Sequence, residues 1–274
     1  MTRDRIAFIG GGNMARSLVG GLIAREQAAG DIVVAEPQAA ARDALAREFG
    51  VRVTEDNGAA ARDATLVVLA VKPQVMRTVC TALRESGADR GAVFVSIAAG
   101  IRTGQLVGWL GAGTPVVRAM PNTPALIGAG ATGLFATPHV TPAQRAATES
   151  LLAATGIVAW IADEALMDAV TAVSGSGPAY FFLLVEALQA AAEAQGLPRD
   201  AARALVVQTA LGAARMAAEG GEDAATLRQR VTSPGGTTQA AIEALEAGGF
   251  RRLVADAVAG ATARGAELSR QFGD

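Results

Sequence analysis

The sequence predicts an α/β protein in which a doubly wound, mainly parallel sheet is followed by an all-helical domain. Three observations support this prediction. Short β-rich runs alternate with helical patterns as far as residue 162, residues 65–71 form a near-continuous apolar run, and the β pattern stops after residue 163. Strands separated by helical segments are typical of parallel sheets, and a strand buried on both faces is apolar throughout.

The first domain is expected to span residues 1–162. Strands are predicted from short β-rich runs at residues 5–9, 31–35, 51–53, 65–71, 92–97, 115–119, 131–136 and 157–161. Helical patterns occupy residues 14–27 and 39–49 between the first three strands. This alternation is that of repeated strand–helix–strand units, which form a parallel sheet with helices on both faces.

The second domain is expected to span residues 163–274 and to be helical throughout. Segments rich in alanine and leucine predict helices at residues 178–195, 199–218, 224–231, 236–247 and 251–272. Proline suits the first turn of a helix and glycine its end, so Pro178 and Gly196 mark plausible limits of the first of these. The preceding segment SGSG at 174–177 is predicted to cap that helix and to provide a point of close packing.

Composition excludes several classes of protein. Hydrophobic residues make up 51% of the chain, and the net charge of −2 provides no basic surface for nucleic acid. The single cysteine, Cys80, excludes an internal disulfide and is expected to lie buried on a helix. The longest uninterrupted apolar stretches, such as 66–71, are much shorter than the roughly 20 residues that cross a bilayer. We therefore expect a soluble cytoplasmic protein without a membrane segment or signal peptide.

A glycine-rich motif follows the first predicted strand and opens the first helix. Gly10, Gly12 and Ala15 match G-x-G-x-x-G/A, the motif that binds dinucleotides in a Rossmann-type fold. Its glycines allow a tight turn and a close approach of the pyrophosphate, which the N-terminus of the helix then attracts. By itself the motif is also compatible with an ordinary glycine turn, but its position between a strand and a helix favours dinucleotide binding.

An acidic residue at the end of the next strand bears on the choice of cofactor. A carboxylate at Glu36 would accept hydrogen bonds from the ribose hydroxyls of NADH and repel the 2′-phosphate of NADPH. Arg42 lies one turn into the following helix and could compensate a phosphate charge. A solvated Glu36 is the alternative, and the sequence predicts NADPH or NADH without deciding between them.

A second glycine-containing loop, residues 233–238 (SPGGTT), precedes a predicted helix in the second domain. Backbone N–H groups at the start of a helix lack partners within the helix, and Gly235 and Gly236 leave room for a carboxylate to approach them. A turn without a ligand is the alternative. No cluster of cysteine and histidine has the spacing of a metal site, so no metal is predicted.

Five segments together resemble the pyrroline-5-carboxylate reductase family over essentially the whole chain. They are FIGGGNMA at 8–15, AVKPQ at 70–74, RAMPNTPA at 118–125, DAVT and SGSGPAY within 168–180, and VTSPGGTT at 231–238. The last two segments lie outside the dinucleotide-binding domain, which makes the resemblance specific. It implies reduction of L-1-pyrroline-5-carboxylate to L-proline with NAD(P)H, the last step of proline biosynthesis. It also implies a C-terminal dimerisation domain and a homodimer, with dimers often joined into larger rings.

The resemblance also implies individual roles for residues. The predicted cofactor site, with Glu36 included, comprises Gly10, Gly11, Gly12, Asn13, Met14, Glu36, Asn57, Ala70, Val71, Lys72, Pro73, Ala98 and Ala99. The predicted substrate site comprises Glu164, Ser233, Gly235, Gly236, Thr237 and Thr238. Some members of the family have a smaller amide where this chain has Arg230, so the role of Arg230 stays open.

The implied reaction transfers a hydride to the C=N carbon and requires a proton on the imine nitrogen. Thr238 is the predicted catalytic residue because the resemblance places a threonine beside that nitrogen, although a hydroxyl at a helix start is usually a cap. The imine is basic enough to arrive protonated. The only histidine, His139, is expected in a solvent-exposed loop.

Other functions remain alternatives. A β-hydroxyacid dehydrogenase would resemble enzymes that use a lysine from the helical half, but Lys72 is the only lysine and precedes that half. Another imine oxidoreductase and a non-catalytic NAD(P)-sensing protein with the same fold are the further alternatives. The carboxylate-binding character of the 233–238 loop argues against a sensing protein.

Overall fold

A computed structural model describes residues 4–87 and 91–272 of the chain. Within these residues eight strands form one sheet: β1 (Ile6–Ile9), β2 (Ile32–Ala35), β3 (Arg52–Thr54), β4 (Leu66–Leu69), β5 (Val93–Ser96), β6 (Val116–Met120), β7 (Gly130–Ala136) and β8 (Gly156–Trp160). Their order across the sheet is β3-β2-β1-β4-β5-β6-β7-β8, and only β6 and β7 pair antiparallel. The sheet is doubly wound from β1, as the sequence predicts.

The helices of the first part of the chain cover both faces of this sheet. They are α1 (Asn13–Ala24), α2 (Ala39–Phe49), α3 (Asn57–Ala61), α4 (Pro73–Ser86), α5 (Thr103–Leu110) and α6 (Pro142–Ala153). Alternate residues of β1 divide between two hydrophobic cores, with Phe8 packing on the α1 side and Ile9 on the α4 side. A strand that is buried on both faces must be apolar at every position, which explains the continuous apolar pattern of β1 and β4.

The described residues from Glu164 to Phe272 form helices and the turns between them, as predicted. They include α7 (Met167–Val170), α8 (Gly177–Ala194), α9 (Arg199–Glu219), α10 (Ala224–Arg230), α11 (Thr237–Ala247) and α12 (Phe250–Gln271). One compact unit runs to Ser176 and resumes at Gly260, and the other comprises Gly177–Ala259. The predicted domain limits, 1–162 and 163–274, stay a prediction, and their outermost residues, 1–3 and 273–274, lie outside the described residues.

The segment before α8 does not cap a helix, and that prediction is wrong. Residues Thr171–Gly175 form a π-helical turn that continues directly from α7, and Ser174 Oγ donates to the carbonyl of Val170, 2.9 Å away. A Cβ on Gly175 would lie 2.6 Å from Cε of Met120, so a larger residue here would have to displace the end of that methionine side chain. The close packing predicted for this segment is therefore present, although the helix cap is not.

The helical run Glu164–Ala194 is long and apolar enough to cross a membrane by length and composition alone. It is 31 residues long, and only 17% of its most apolar window is buried. The search for uninterrupted apolar stretches did not identify it, because polar residues such as Ser174 and Ser176 divide it. An exposed apolar surface of this kind is normally covered by a partner molecule or a membrane.

Candidate active site

The glycine loop has the geometry of a dinucleotide cradle. Gly10 has a φ of +103°, which favours glycine, and a Cβ there would lie 2.7 Å from the carbonyl oxygen of Ala70. Gly12 precedes α1, and a Cβ on Gly12 would meet no atom within 4 Å. No side chain of the described residues caps α1. The N–H groups of its first turn therefore face open space, which fits a pyrophosphate.

Glu36 lies against the glycine loop at the end of β2. Its Oε2 accepts a hydrogen bond from the Gly11 N–H at 2.9 Å, and its Oε1 accepts one from the Gln38 N–H at 3.0 Å. These bonds hold the carboxylate beside the loop, where an adenosine ribose binds in this type of fold. Arg42 donates instead to the carbonyl oxygens of Glu36 and Pro37, at 2.7 and 2.8 Å, so its guanidinium is already engaged.

The other predicted cofactor residues follow strands β3, β4 and β5, which lie on either side of β1 and β2 in the sheet. Ala70, Val71 and Lys72 connect β4 to α4, which begins at Pro73, and Lys72 is exposed. Two further residues, Ala98 and Ala99, follow β5, and Asn57 opens α3 after β3. Since β1 to β5 run parallel, all of these segments lie at the carboxyl edge of the sheet, where ligands bind in doubly wound folds. Asn13 and Met14 open α1 at the same edge.

Glu164 is the one predicted substrate residue in the first unit, and it is bonded within the protein. Its Oε1 accepts the Thr103 N–H and its Oε2 accepts the Thr103 hydroxyl, both at 2.7 Å. Arg118, which is only 3% exposed, lies with Nη1 3.5 Å from Glu164 Oε1. Its Nη2 donates to Asp168 Oδ1 at 3.1 Å. The carboxylate of Glu164 therefore joins the start of α5 to strand β6.

The 233–238 loop belongs to the second unit and is described by itself. Gly235 has a φ of +70°, and its N–H donates to Gln239 Oε1 at 2.7 Å. The Gly236 N–H donates to the Ser233 carbonyl at 3.0 Å. These two N–H groups are therefore occupied, and any unpaired N–H groups must come from the helix start that follows. No side chain of the described residues caps α11, so the N–H groups of Thr237 and Thr238 at its first turn remain suited to a carboxylate.

The structure also shows the surroundings of Cys80, His139 and Arg230. Cys80 is fully buried on α4, and burial raises the pKa of its thiol to about 12, which makes it unreactive. His139 is exposed, as predicted. Arg230 pairs with Glu222, a contact within the second unit. Among residues 4–87 and 91–272, no three His, Cys, Asp or Glu side chains are grouped to hold a metal.

Sequence reasoning missed Thr103, Arg118 and Asp168 as members of the site. Arg118 carried a signal, because it stands in an otherwise apolar strand, and a buried arginine requires a carboxylate partner. Asn122, in the same resembling segment, bonds Ser174 O and the Ala131 N–H at 3.0 and 2.9 Å. These bonds fix the π-helical turn beside β7.

Comparisons with known proteins agree with this geometry. A family model described as NADP oxidoreductase coenzyme F420-dependent matches residues 5–100. Another, described as pyrroline-5-carboxylate reductase dimerisation, matches residues 164–268. A pyrroline-5-carboxylate reductase of Pseudomonas aeruginosa is 52% identical over 273 residues and covers 100% of both chains.

Solved structures extend the similarity to the whole fold. A pyrroline-5-carboxylate reductase from Coxiella burnetii is 46% identical, with a TM-score of 0.95 over 98% of this chain and 99% of that chain. The Plasmodium falciparum pyrroline carboxylate reductase with NADP bound is 27% identical, with a TM-score of 0.85 over 98% and 99%. By identity along its full length, the chain belongs to the pyrroline-5-carboxylate reductase family.

Proposed function

We propose that this protein reduces L-1-pyrroline-5-carboxylate to L-proline with NAD(P)H, the last step of proline biosynthesis. The observation that carries the proposal is the 52% identity with a pyrroline-5-carboxylate reductase over the full length of both chains. The uncapped glycine loop and the 233–238 loop support it, because they suit a dinucleotide and a carboxylate respectively. A protein that only senses NAD(P) would have no need of the second loop.

The roles of the side chains follow from the chemistry of the reaction. Bound NAD(P)H supplies a hydride from C4 of its nicotinamide ring, and the imine nitrogen gains a proton. Gly10, Gly11, Gly12, Asn13 and Met14 hold the pyrophosphate, with Glu36, Asn57, Ala70, Val71, Lys72, Pro73, Ala98 and Ala99 completing the cofactor site. The N–H groups of Thr237 and Thr238 in the first turn of α11 hold the substrate carboxylate, and Ser233, Gly235 and Gly236 form the loop that leaves room for it. Thr238 donates a hydrogen bond to the imine nitrogen.

The reaction is tested by following oxidation of NADH or NADPH with pyrroline-5-carboxylate and, in parallel, reduction of NAD⁺ or NADP⁺ with a β-hydroxyacid. We expect turnover only with the imine. Turnover of the hydroxyacid would favour a β-hydroxyacid dehydrogenase, and turnover of neither compound would favour another imine oxidoreductase or an NAD(P)-sensing protein.

Glu36 sets the cofactor preference in this proposal. Replacing Glu36 with serine should shift the ratio of kcat/KM toward NADPH, because a carboxylate held beside the glycine loop repels the 2′-phosphate. About a tenfold shift is expected, the effect of roughly 1.4 kcal/mol. The measurement is kcat/KM with each cofactor for both proteins. An unchanged ratio, or a shift toward NADH, would mean that Glu36 does not face the ribose.

A second copy of the chain is the proposed occupant of the exposed apolar surface. Phe181, Phe182 and Leu183 on α8 are 69%, 67% and 65% exposed. An apolar groove of about 520 Å³ lies between α8 and the start of α12, within the second unit. Monomeric soluble proteins rarely expose so much contiguous apolar surface. The dimerisation model covers these helices, which favours a homodimer over a membrane contact. Rings of dimers and a cytoplasmic location are further parts of the proposal.

Dimerisation predicts a clear sedimentation result. The protein without detergent should sediment as a dimer or a multiple of dimers at micromolar concentration. Replacing Phe181 with aspartate should shift it toward monomer, because one buried unpaired carboxylate costs several kcal/mol in each copy. Circular dichroism is the control that separates dissociation from unfolding. A stable monomer of the unmodified protein, or a requirement for detergent, would contradict the proposed dimer.

A further inference from the structure

The connection between β5 and α5, residues 97–102, carries the predicted contacts of Ala98 and Ala99 with the cofactor. Gly100 lies in this connection with a φ of +75°, a conformation that only glycine adopts readily. A connection of this kind must be held by its neighbours if it is to present fixed backbone atoms to a ligand. The contacts that hold this connection, at Gly100 and at Thr103, therefore bear directly on cofactor binding under the proposed function.

At one end, Glu164 holds the connection through two hydrogen bonds to a single residue. Both carboxylate oxygens of Glu164 bond Thr103, one to its N–H and one to its hydroxyl, each at 2.7 Å. Thr103 is the first residue of α5 and is 5% exposed. Hydrogen bonds to an ionised carboxylate are stronger than neutral ones, and a negative charge at the start of a helix is also favourable.

Arg118 and Asp168 hold Glu164 in turn. The Arg118 guanidinium lies between the two carboxylates, 3.5 Å from Glu164 Oε1 and 3.1 Å from Asp168 Oδ1. The side chains of Arg118 and Asp168 are 3% and 9% exposed, so little water competes for these bonds. Arg118 comes from strand β6, which pairs with β5. The connection is thus tied to the sheet through Glu164.

Within the connection, Gly100 lies against the last turn of α12 and the residue that follows it. A Cβ on Gly100 would lie 3.1 Å from a ring carbon of Phe272 and 3.5 Å from Cβ of Leu268. Phe272 also packs against the hydrophobic core that contains Ile101. The β5–α5 connection is therefore held at Gly100 by apolar contact and at Thr103 by charge-assisted hydrogen bonds.

We infer that Glu164 and Thr103 are positioning residues for the dinucleotide, because they fix the β5–α5 connection that carries Ala98 and Ala99. The resemblance implies a substrate contact for Glu164. In this structure both of its oxygens accept hydrogen bonds from Thr103, at the end of the connection that carries Ala98 and Ala99. The inference rests on the proposed function. It adds Thr103, and Arg118 through its contact with Glu164, to the residues on which cofactor affinity depends.

A matched pair of substitutions tests the inference. Thr103→Val removes the hydroxyl that bonds Glu164, and Thr148→Val removes an equally buried hydroxyl that bonds the Gln144 carbonyl on α6 at 2.8 Å. Binding of NADPH and of NADH is measured by fluorescence titration without the imine, and stability by thermal unfolding. We expect both variants to lose stability, but only Thr103→Val to bind the dinucleotides about fivefold more weakly, the effect of roughly 1 kcal/mol.

Glu164→Gln separates the cofactor role from a substrate role. Measured without the imine, this substitution should raise the Kd for dinucleotide at least as much as Thr103→Val does, because it removes the charged partner of both Thr103 bonds. An unchanged dinucleotide Kd in Thr103→Val or in Glu164→Gln would overturn the inference. If the unmodified protein bound dinucleotide but did not reduce the imine, the proposed function would fail, and the binding comparison would still decide the present inference.

Discussion

Replacing Gly10 with alanine should weaken the binding of NADH and NADPH by about a hundredfold. A Cβ at this position would lie 2.7 Å from the Ala70 carbonyl oxygen and 3.1 Å from Cγ1 of Val71. The φ of +103° adds strain for any residue with a side chain. Strain of this kind costs roughly 1–3 kcal/mol, and the loop must also move away from β4 to relieve the contact. The first turn of α1 would then no longer meet the pyrophosphate.

The same substitution at Gly108 is the control. Gly108 lies within α5, and a Cβ there would meet nothing within 4 Å. Gly108→Ala should therefore leave the Kd for dinucleotide unchanged and slightly raise the stability, because alanine favours a helix more than glycine does. Fluorescence titration measures both variants. A Gly10→Ala protein with the Kd of its parent would show that the glycine loop does not bind the cofactor.

Replacing Thr238 with alanine should lower kcat about tenfold to a hundredfold. Thr238 lies in the first turn of α11, and we propose that its hydroxyl bonds the imine nitrogen. A hydrogen bond to a charged group contributes about 1.5–3 kcal/mol, and a positioned proton donor contributes about a hundredfold or more. The smaller loss is expected if the imine arrives protonated, since Thr238 then only orients it.

Steady-state kinetics with a second variant distinguishes proton delivery from substrate holding. Gly236→Val should mainly raise KM for the imine, because the valine side chain fills the space beside the loop. Even a Cβ added at Gly236 would lie 3.1 Å from the Ser233 carbonyl oxygen. If the imine arrives protonated, Thr238→Ala should keep the alkaline limb of the kcat/KM profile, which then reports ionisation of the substrate. Unchanged kcat and KM in Thr238→Ala would reduce Thr238 to a residue of the helix start.

The fold could be predicted from local patterns because each strand has its own burial requirement. The predicted helix at 39–49 coincides with α2, which ends where Gly50 adopts a φ of +67°. The apolar run 65–71 is longer than the strand it contains, since β4 ends at Leu69 and the next residues turn into α4 at Pro73. Hydrophobicity thus predicted the existence of this strand but not where its pairing ends.

Contacts between distant residues could not be predicted in the same way. Glu164 bonds Thr103 across 61 positions of sequence, and Arg118 bonds Asp168 across 50. The π-helical turn at Thr171–Gly175 likewise depends on packing of Gly175 against Met120. The segment SGSGP follows the local pattern of a helix start, but a local pattern carries no information about which distant side chain needs room.

In the candidate site, too, local features could be predicted and longer-range contacts could not. The sequence assigned the glycine loop and Glu36 to one cofactor site, and the structure joins them by a hydrogen bond, because the ends of adjacent parallel strands lie side by side. Loop 233–238 was recognised from its glycines, but its internal bonds from Gly235 and Gly236 depend on Gln239 and on the turn itself. The sequence does show that α8 is apolar over a broad face, at residues 180–185, which favours cover by another subunit.

Transfer of deuterium tests the central claim most directly. The protein is incubated with pyrroline-5-carboxylate and NADPH or NADH that carries deuterium at both positions on C4 of the nicotinamide, and proline is analysed by mass spectrometry and NMR. The account predicts one deuterium on the δ carbon of L-proline for each labelled hydride consumed, and loss of this product in Gly10→Ala. Absence of L-proline, or proline formed without the label while NAD(P)H is oxidised, would contradict the claim that this chain is an imine-reducing NAD(P)H enzyme.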